Sequence, residues 1–148
     1  AVPRMTRDID IVLEAKLEDV ELLAVLFEGD FYFDKQTASE EIRKRGMFNL
    51  IHREAIVKID FIVRKESAYR ELEFKRRRPV SLEGSPLWIV SPEDLILSKL
   101  FWAKDSFSEM QLVDVKNIFQ NVSDLDRKYL EKWAGSLGLS QIYERAQK

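Results

Sequence analysis

The chain has 148 residues, a length that buries about 68–70% of the unfolded surface in one core by surface-to-volume scaling. Its 26 acidic and 24 basic residues leave a net charge of −2, which excludes the global basic field of a nucleic-acid-binding domain, so any nucleic-acid contact must be local. Cysteine is absent and His52 is the one histidine, which excludes thiol catalysis, disulfides, Cys/His zinc sites and two-histidine iron sites.

In chain order, residues 7–14 alternate, with Ile9, Ile11 and Leu13 on one side and Asp8, Asp10, Val12 and Glu14 on the other, the pattern of a half-buried strand. Residues 17–28 predict a helix with too many apolar positions for a narrow stripe, hence a mostly buried one, stopped by Gly29. A polar helix over 37–46 follows, with Thr37 as cap and Glu40 three positions on. Met47–Ile51 and residues 56–64 then predict the two arms of a hairpin. Residues 67–77 suit a helix opened by Ser67 or, through Leu72 and Phe74, a strand. Short strands are expected around Val80–Leu82 and Leu87–Val90. Ser91-Pro92-Glu93-Asp94 is the clearest helix start, with a capping serine, a first-turn proline and two acids that complement the dipole. That helix is expected to run to about Lys104, a second over 108–121, and a helical tail from Asp124 with a break at Gly135–Gly138.

The expected fold class is therefore α+β: a mixed sheet backed by helices over about residues 1–90 and a helical region over about 91–148. Five glycines and four prolines supply no linker, so the expectation is a single domain. No apolar run approaches the ~18 residues that a bilayer requires, and no basic segment precedes an apolar one at the N-terminus. A soluble, cytoplasmic protein without membrane contact is expected.

Charge is unevenly placed: residues 1–34 carry nine acidic and three basic residues, and residues 64–78 carry seven basic and three acidic ones. Asp8 and Asp10, two apart on one strand, leave the same sheet face about 6–7 Å apart. Asp60 repeats the arrangement between Ile59 and Phe61. If the two strands are neighbours, three carboxylates share one face, and at an effective dielectric near 20 two of them ~6 Å apart repel by about 3 kcal/mol. Such a cluster takes up protons or holds a cation, and an oxygen-only donor set selects Mg²⁺ or Mn²⁺. A single strand aspartate is ordinarily solvated surface. Three of them in two strands rich in β-branched and aromatic residues run against the depletion of aspartate from strands.

Pro3-Arg4-Met5-Thr6-Arg7-Asp8-Ile9-Asp10-Ile11-Val12 and, downstream, Lys58-Ile59-Asp60-Phe61 resemble the active-site pattern of the nucleotidyltransferase superfamily related to DNA polymerase β. More narrowly, they are similar to its bacterial minimal and AbiEii-type toxin branch. The likeness spans about residues 3–120. It implies a metal-dependent transfer of a nucleoside monophosphate from NTP to an acceptor hydroxyl on RNA, protein or a small molecule, in a toxin-antitoxin pair with a cognate antitoxin as partner. It also implies Asp8, Asp10 and Asp60 as catalytic metal ligands. Ser91 to Leu100 resembles the helix that carries the family lysine, here Lys99, and Asp114 resembles the final acidic position. Arg4 and Thr6, just ahead of the paired aspartates, are candidate nucleotide contacts. A Gly-Gly or Gly-Ser loop lies some ten residues before the paired aspartates in this superfamily and is not among the seven residues before Asp8. A truncated chain or a degenerate relative without transfer activity is expected to show that difference.

Alternative readings stand beside each of these. Lys99 lies on an apolar helix face, from which it either snorkels to water or grips a phosphate. Asp114 either serves the site or makes a structural salt bridge with Lys99. Lys75-Arg76-Arg77-Arg78, beside Tyr69 and Phe74, is either an RNA or polyphosphate contact or a solvated run that complements a helix end. His52 is expected near the hairpin turn, and Trp88, Trp102 and Trp133 in the core. Two other functions compete: a non-catalytic nucleotide- or partner-binding module of the same fold, and a metal-dependent nuclease. The nuclease needs Asp60 and Glu73-Phe74-Lys75 on adjacent strands and leaves Asp8 and Asp10 unexplained.

Overall fold

Period-two alternation and helix caps organise the chain along the lines expected from sequence. A computed structural model describes residues 7–148. Arg4 and Thr6 lie outside the described residues. Contacts divide the chain between Ser67 and Ala68 into two compact units, and the buried apolar residues fall into two clusters, one in each. Each unit is described by itself.

The first unit runs β1 (Asp8–Leu13), a 3₁₀ turn (Leu17–Asp19), α1 (Val20–Phe27), β2 (Phe31–Tyr32), α2 (Lys35–Arg43), β3 (Met47–His52) and β4 (Lys58–Val63). Its sheet has the order β1-β4-β3-β2. β1 lies parallel to β4, and the other neighbours are antiparallel. Since side chains alternate along a strand, Phe48, Leu50, Ile59, Phe61 and Val63 share one face and are buried with Val20, Leu23, Ala38 and Ile42 of the helices. Each of these buried Val, Leu, Ile and Phe side chains contributes roughly 1.5–3 kcal/mol. The mostly buried helix expected over 17–28 is not found: Val20, Leu23 and Ala24 face the core, whereas Leu22, Val25 and Leu26 are exposed. Ile9, expected in the core, is half exposed, while Ile11 and Leu13 pack against it. The cap of α2 is Asp34 and not Thr37, because the Asp34 carboxylate accepts from the Thr37 backbone N–H at 2.8 Å.

The second unit runs α3 (Ala68–Lys75), β5 (Arg78–Leu82), β6 (Ser85–Ile89), α4 (Pro92–Ser106), α5 (Glu109–Asn121), α6 (Arg127–Ser136) and α7 (Ser140–Ala146). Residues 71–75 are helical, so the strand that the nuclease pattern requires does not form. β5 and β6 make a two-stranded hairpin turned by Glu83 and Gly84, both at positive φ, the geometry of a two-residue turn that favours glycine. α4 is the centre of this unit. Its Ile96, Leu97, Leu100 and Ala103 are buried against α5, α6 and α7. Trp133 packs on that core, but Trp88 and Trp102, expected inside, are 62% and 55% exposed. The architecture is thus a mixed α/β one, with seven α-helices and a four-stranded mixed sheet among the described residues. No described helix is long and apolar enough to cross a membrane.

Candidate functional site

The polar face of the four-stranded sheet is built by register. Asp10 on β1 pairs with Asp60 on β4, and Asp60 pairs in turn with Asn49 on β3, so three oxygen-bearing side chains form one row across three strands. Asp8 lies one step along the same face, opposite Lys58. The apolar neighbours Ile59 and Phe61 hold this row in place by burying the other side of β4.

Lys58 sits among the carboxylates. Its Nζ lies 3.1 Å from Asp60 Oδ2 and 3.9 Å from Asp8 Oδ2. Its pKa is raised above the ordinary lysine value, first by the hydrogen bond to Asp60, then by the charge of Asp60 and, beyond it, those of Asp8 and Asp10. The Asp60 side chain is only 13% exposed, and its Oδ1 is buried with no hydrogen-bond partner among the described residues. That orphaned oxygen and the all-oxygen donor set fit a hard divalent cation, which Asp10, Asp60 and Asp8 would hold. Among the described residues, however, no three carboxylates converge into a ready-made metal-holding group. The ammonium of Lys58 takes up part of the charge that a cation would meet. Beside Asn49 a shallow cleft of 520 Å³ opens, lined in part by Tyr32, Phe33, Asp34, Thr37 and Arg53. The Arg53 guanidinium stands 4.6 Å over the Tyr32 ring.

Lys99 and Asp114 belong to the second unit. There Lys99 Nζ donates to Asp114 Oδ2 at 2.8 Å and to Gln111 Oε1 at 3.2 Å, a bridge between α4 and α5. The salt-bridge reading of Asp114 is what the geometry contains. The basic run is divided: Lys75 is exposed in the last turn of α3, as a solvated helix end would have it, and the three arginines have partners. Arg76 lies 3.8 Å over the Tyr129 ring and donates to Asp94, Arg77 lies over Phe74 and Trp88, and Arg78 Nη2 approaches Glu93 Oε2 at 3.7 Å.

Glu93 and Asp94 are buried, a role that sequence reasoning missed. Asp94 Oδ2 accepts from the Ser91 hydroxyl at 2.6 Å and from Arg76 Nε at 3.1 Å; Oδ1 accepts from Tyr129 at 2.6 Å and Tyr69 at 3.2 Å. Burial opposes the Arg76 charge, yet the hydrogen bond and attraction of Asp94 outweigh it and raise the pKa. Burial also raises the phenol pKa values of Tyr69 and Tyr129, and at Tyr129 the hydrogen bond to Asp94 adds to it. Ser91 and the two acids were visible as a helix start; their burial was not, because Tyr69, Arg76 and Tyr129 come from 18 to 35 residues away. The role of Lys58 was legible in principle, since two residues before Asp60 on a strand is the same face. His52 closes the turn after β3, where its Nδ1 accepts from the backbone N–H groups of Glu54 and Ala55.

In comparison with known proteins, no family model, no curated protein and no solved structure matches the chain.

Proposed function

We propose that the first unit is the catalytic unit of a divalent-cation-dependent nucleotidyltransferase, which moves a nucleoside monophosphate from NTP to an acceptor hydroxyl. The observation that carries this reading is the row Asp10, Asp60, Asn49 with the buried, unpartnered Oδ1 of Asp60. A bound Mg²⁺ or Mn²⁺ would neutralise triphosphate charge and align its oxygens for in-line displacement. Asp8 and Asp10, with Asp60, would hold that cation. Asp60 orients the acceptor hydroxyl and accepts its proton as the new oxygen–phosphorus bond forms and the bond to pyrophosphate breaks. Asn49 hydrogen-bonds on the acceptor side, where the cleft lined by Tyr32 and Arg53 leaves room for it. Arg4 and Thr6 remain expectations from sequence. The charge of Lys99 is matched by Asp114, which leaves its phosphate role outside this reading. An RNA or protein acceptor and a cognate antitoxin follow from the resemblance and not from the geometry.

One observation favours a second reading, a non-catalytic nucleotide- or partner-binding module. Lys58 already supplies a positive charge to Asp60 and Asp8, as an inert ion-paired surface does. Thermal denaturation with each NTP, with and without Mg²⁺ or Mn²⁺, separates the two. The catalytic reading expects a metal-dependent stabilisation, about 2.7 kcal/mol at a ligand concentration about 100 times the dissociation constant, which Asp10→Asn abolishes. Stabilisation that neither metal nor Asp10→Asn alters favours the module. No stabilisation by any NTP overturns the catalytic reading.

A further inference from the structure

We infer that Lys58 is a resident counter-ion, whose ammonium a divalent cation must displace in order to reach the carboxylates of Asp60 and Asp8. The inference rests on the cation-site reading above and adds the residue that sets the affinity of that site.

The pleat puts Lys58 on the face of Asp60, two residues away on β4, and the parallel register puts it opposite Asp8 on β1. Its Nζ lies within 3.1 Å of Asp60 Oδ2 and 3.9 Å of Asp8 Oδ2, so one ammonium relieves repulsion in a cluster that carries Asp8, Asp10 and Asp60. The two oxygens of Asp60 differ: Oδ2 is engaged by Lys58, and Oδ1 is buried with no hydrogen-bond partner among the described residues. A divalent cation approaching Asp60 from solvent therefore competes with Nζ for Oδ2, and it engages the buried Oδ1 only as the carboxylate turns toward it. Lysine suits a displaceable occupant, being a compact charge on a flexible four-carbon stem, and here its side chain is 38% exposed, with a path to water that needs only rotamer changes. Arginine with a bidentate grip would hold more firmly.

Mn²⁺ binding, followed through the loss of the paramagnetic resonance signal of the free ion at fixed ionic strength, tests this without any turnover. Lys58→Met is expected to tighten Mn²⁺ binding by about fivefold, the factor a surface ion pair can contribute to an equilibrium, and Lys58→Arg to stay within about twofold of the native chain. Lys58→Gln, which keeps a polar side chain on the strand, is expected to tighten binding as Lys58→Met does, and Asp60→Asn to weaken it. If Asp60→Asn weakens binding while both charge-free Lys58 variants bind no more tightly than the native chain, the counter-ion role is overturned and the cation site stands. If no chain binds Mn²⁺ in a way that depends on Asp60, the cation site and the counter-ion role are both overturned.

Discussion

Asp60 on β4 and Asp94 on α4 are aspartates that the fold withdraws from water, and their surroundings differ in kind. Asp94 receives four hydrogen bonds, two on each oxygen, from two phenols, a hydroxyl and a guanidinium, which fill the acceptor capacity of a carboxylate. Asp60 has an ammonium on one oxygen and, among the described residues, no donor on the other. A buried charge with every lone pair engaged holds elements together, here α3, α4, α6 and the segment after α3. A withdrawn carboxylate with an unused oxygen, beside other carboxylates on an open face, retains the capacity to bind something else. Asp94 and Asp60 thus differ in saturation more than in burial.

Breaking the saturated network has the largest expected effect. Asp94→Ala leaves Arg76 without its main partner and two phenols without an acceptor, and is expected to cost about 3–5 kcal/mol in urea denaturation of the second unit. A loss below about 1 kcal/mol would show the network to be dispensable. Alkali acts on the same network through Tyr69 and Tyr129, and on Tyr143 outside it. The phenol pKa values of Tyr69, Tyr129 and Tyr143 are all raised, chiefly by burial, so the folded state retains protons that the unfolded state releases. Their contribution is complete below the ordinary phenol value of about 10 and declines as pH rises beyond it. Ultraviolet titration is expected to show these phenolates appearing above that value and together with unfolding. Ionisation of all four tyrosines near pH 10 in the folded protein contradicts this.

Smaller effects sharpen the contrast. Lys99→Met removes a partly exposed bridge between α4 and α5 and is expected to cost up to about 1 kcal/mol in the same denaturation series. Asp60→Asn is expected to leave the denaturation midpoint close to that of the native chain while abolishing metal-dependent NTP stabilisation. The two aspartates thus trade places when the readout changes from folding to binding.

Much of this was legible in the sequence, for identifiable reasons. Alternation set β1 and β4, because Ile9, Ile11, Ile59 and Phe61 leave the intervening charges no other face. Ser91-Pro92-Glu93-Asp94 marked the start of α4 through capping chemistry that is local. Local patterns do not reveal which apolar surfaces find a partner. Leu22, Val25 and Leu26 on α1 and Trp88 and Trp102 have the composition of a core and remain exposed. The cap of α2 was misplaced because Asp34 and Thr37 are both good capping residues three positions apart, and only the hydrogen bond decides between them. In the candidate site, the shared face of Asp8 and Asp10 followed from spacing alone. The adjacency of β1 to β4 required long-range pairing, and the fourfold engagement of Asp94 required three distant segments to meet.

The most direct test of the central claim, that the face carrying Asp10 and Asp60 is a divalent-cation site, is paramagnetic line broadening by Mn²⁺ in an amide-resolved NMR spectrum. Broadening that begins at the amides of residues 8–10, 49 and 58–60, and that Asp60→Asn removes, is the expected result. Broadening centred on other acidic segments, with the amides of β1 and β4 untouched, would contradict it.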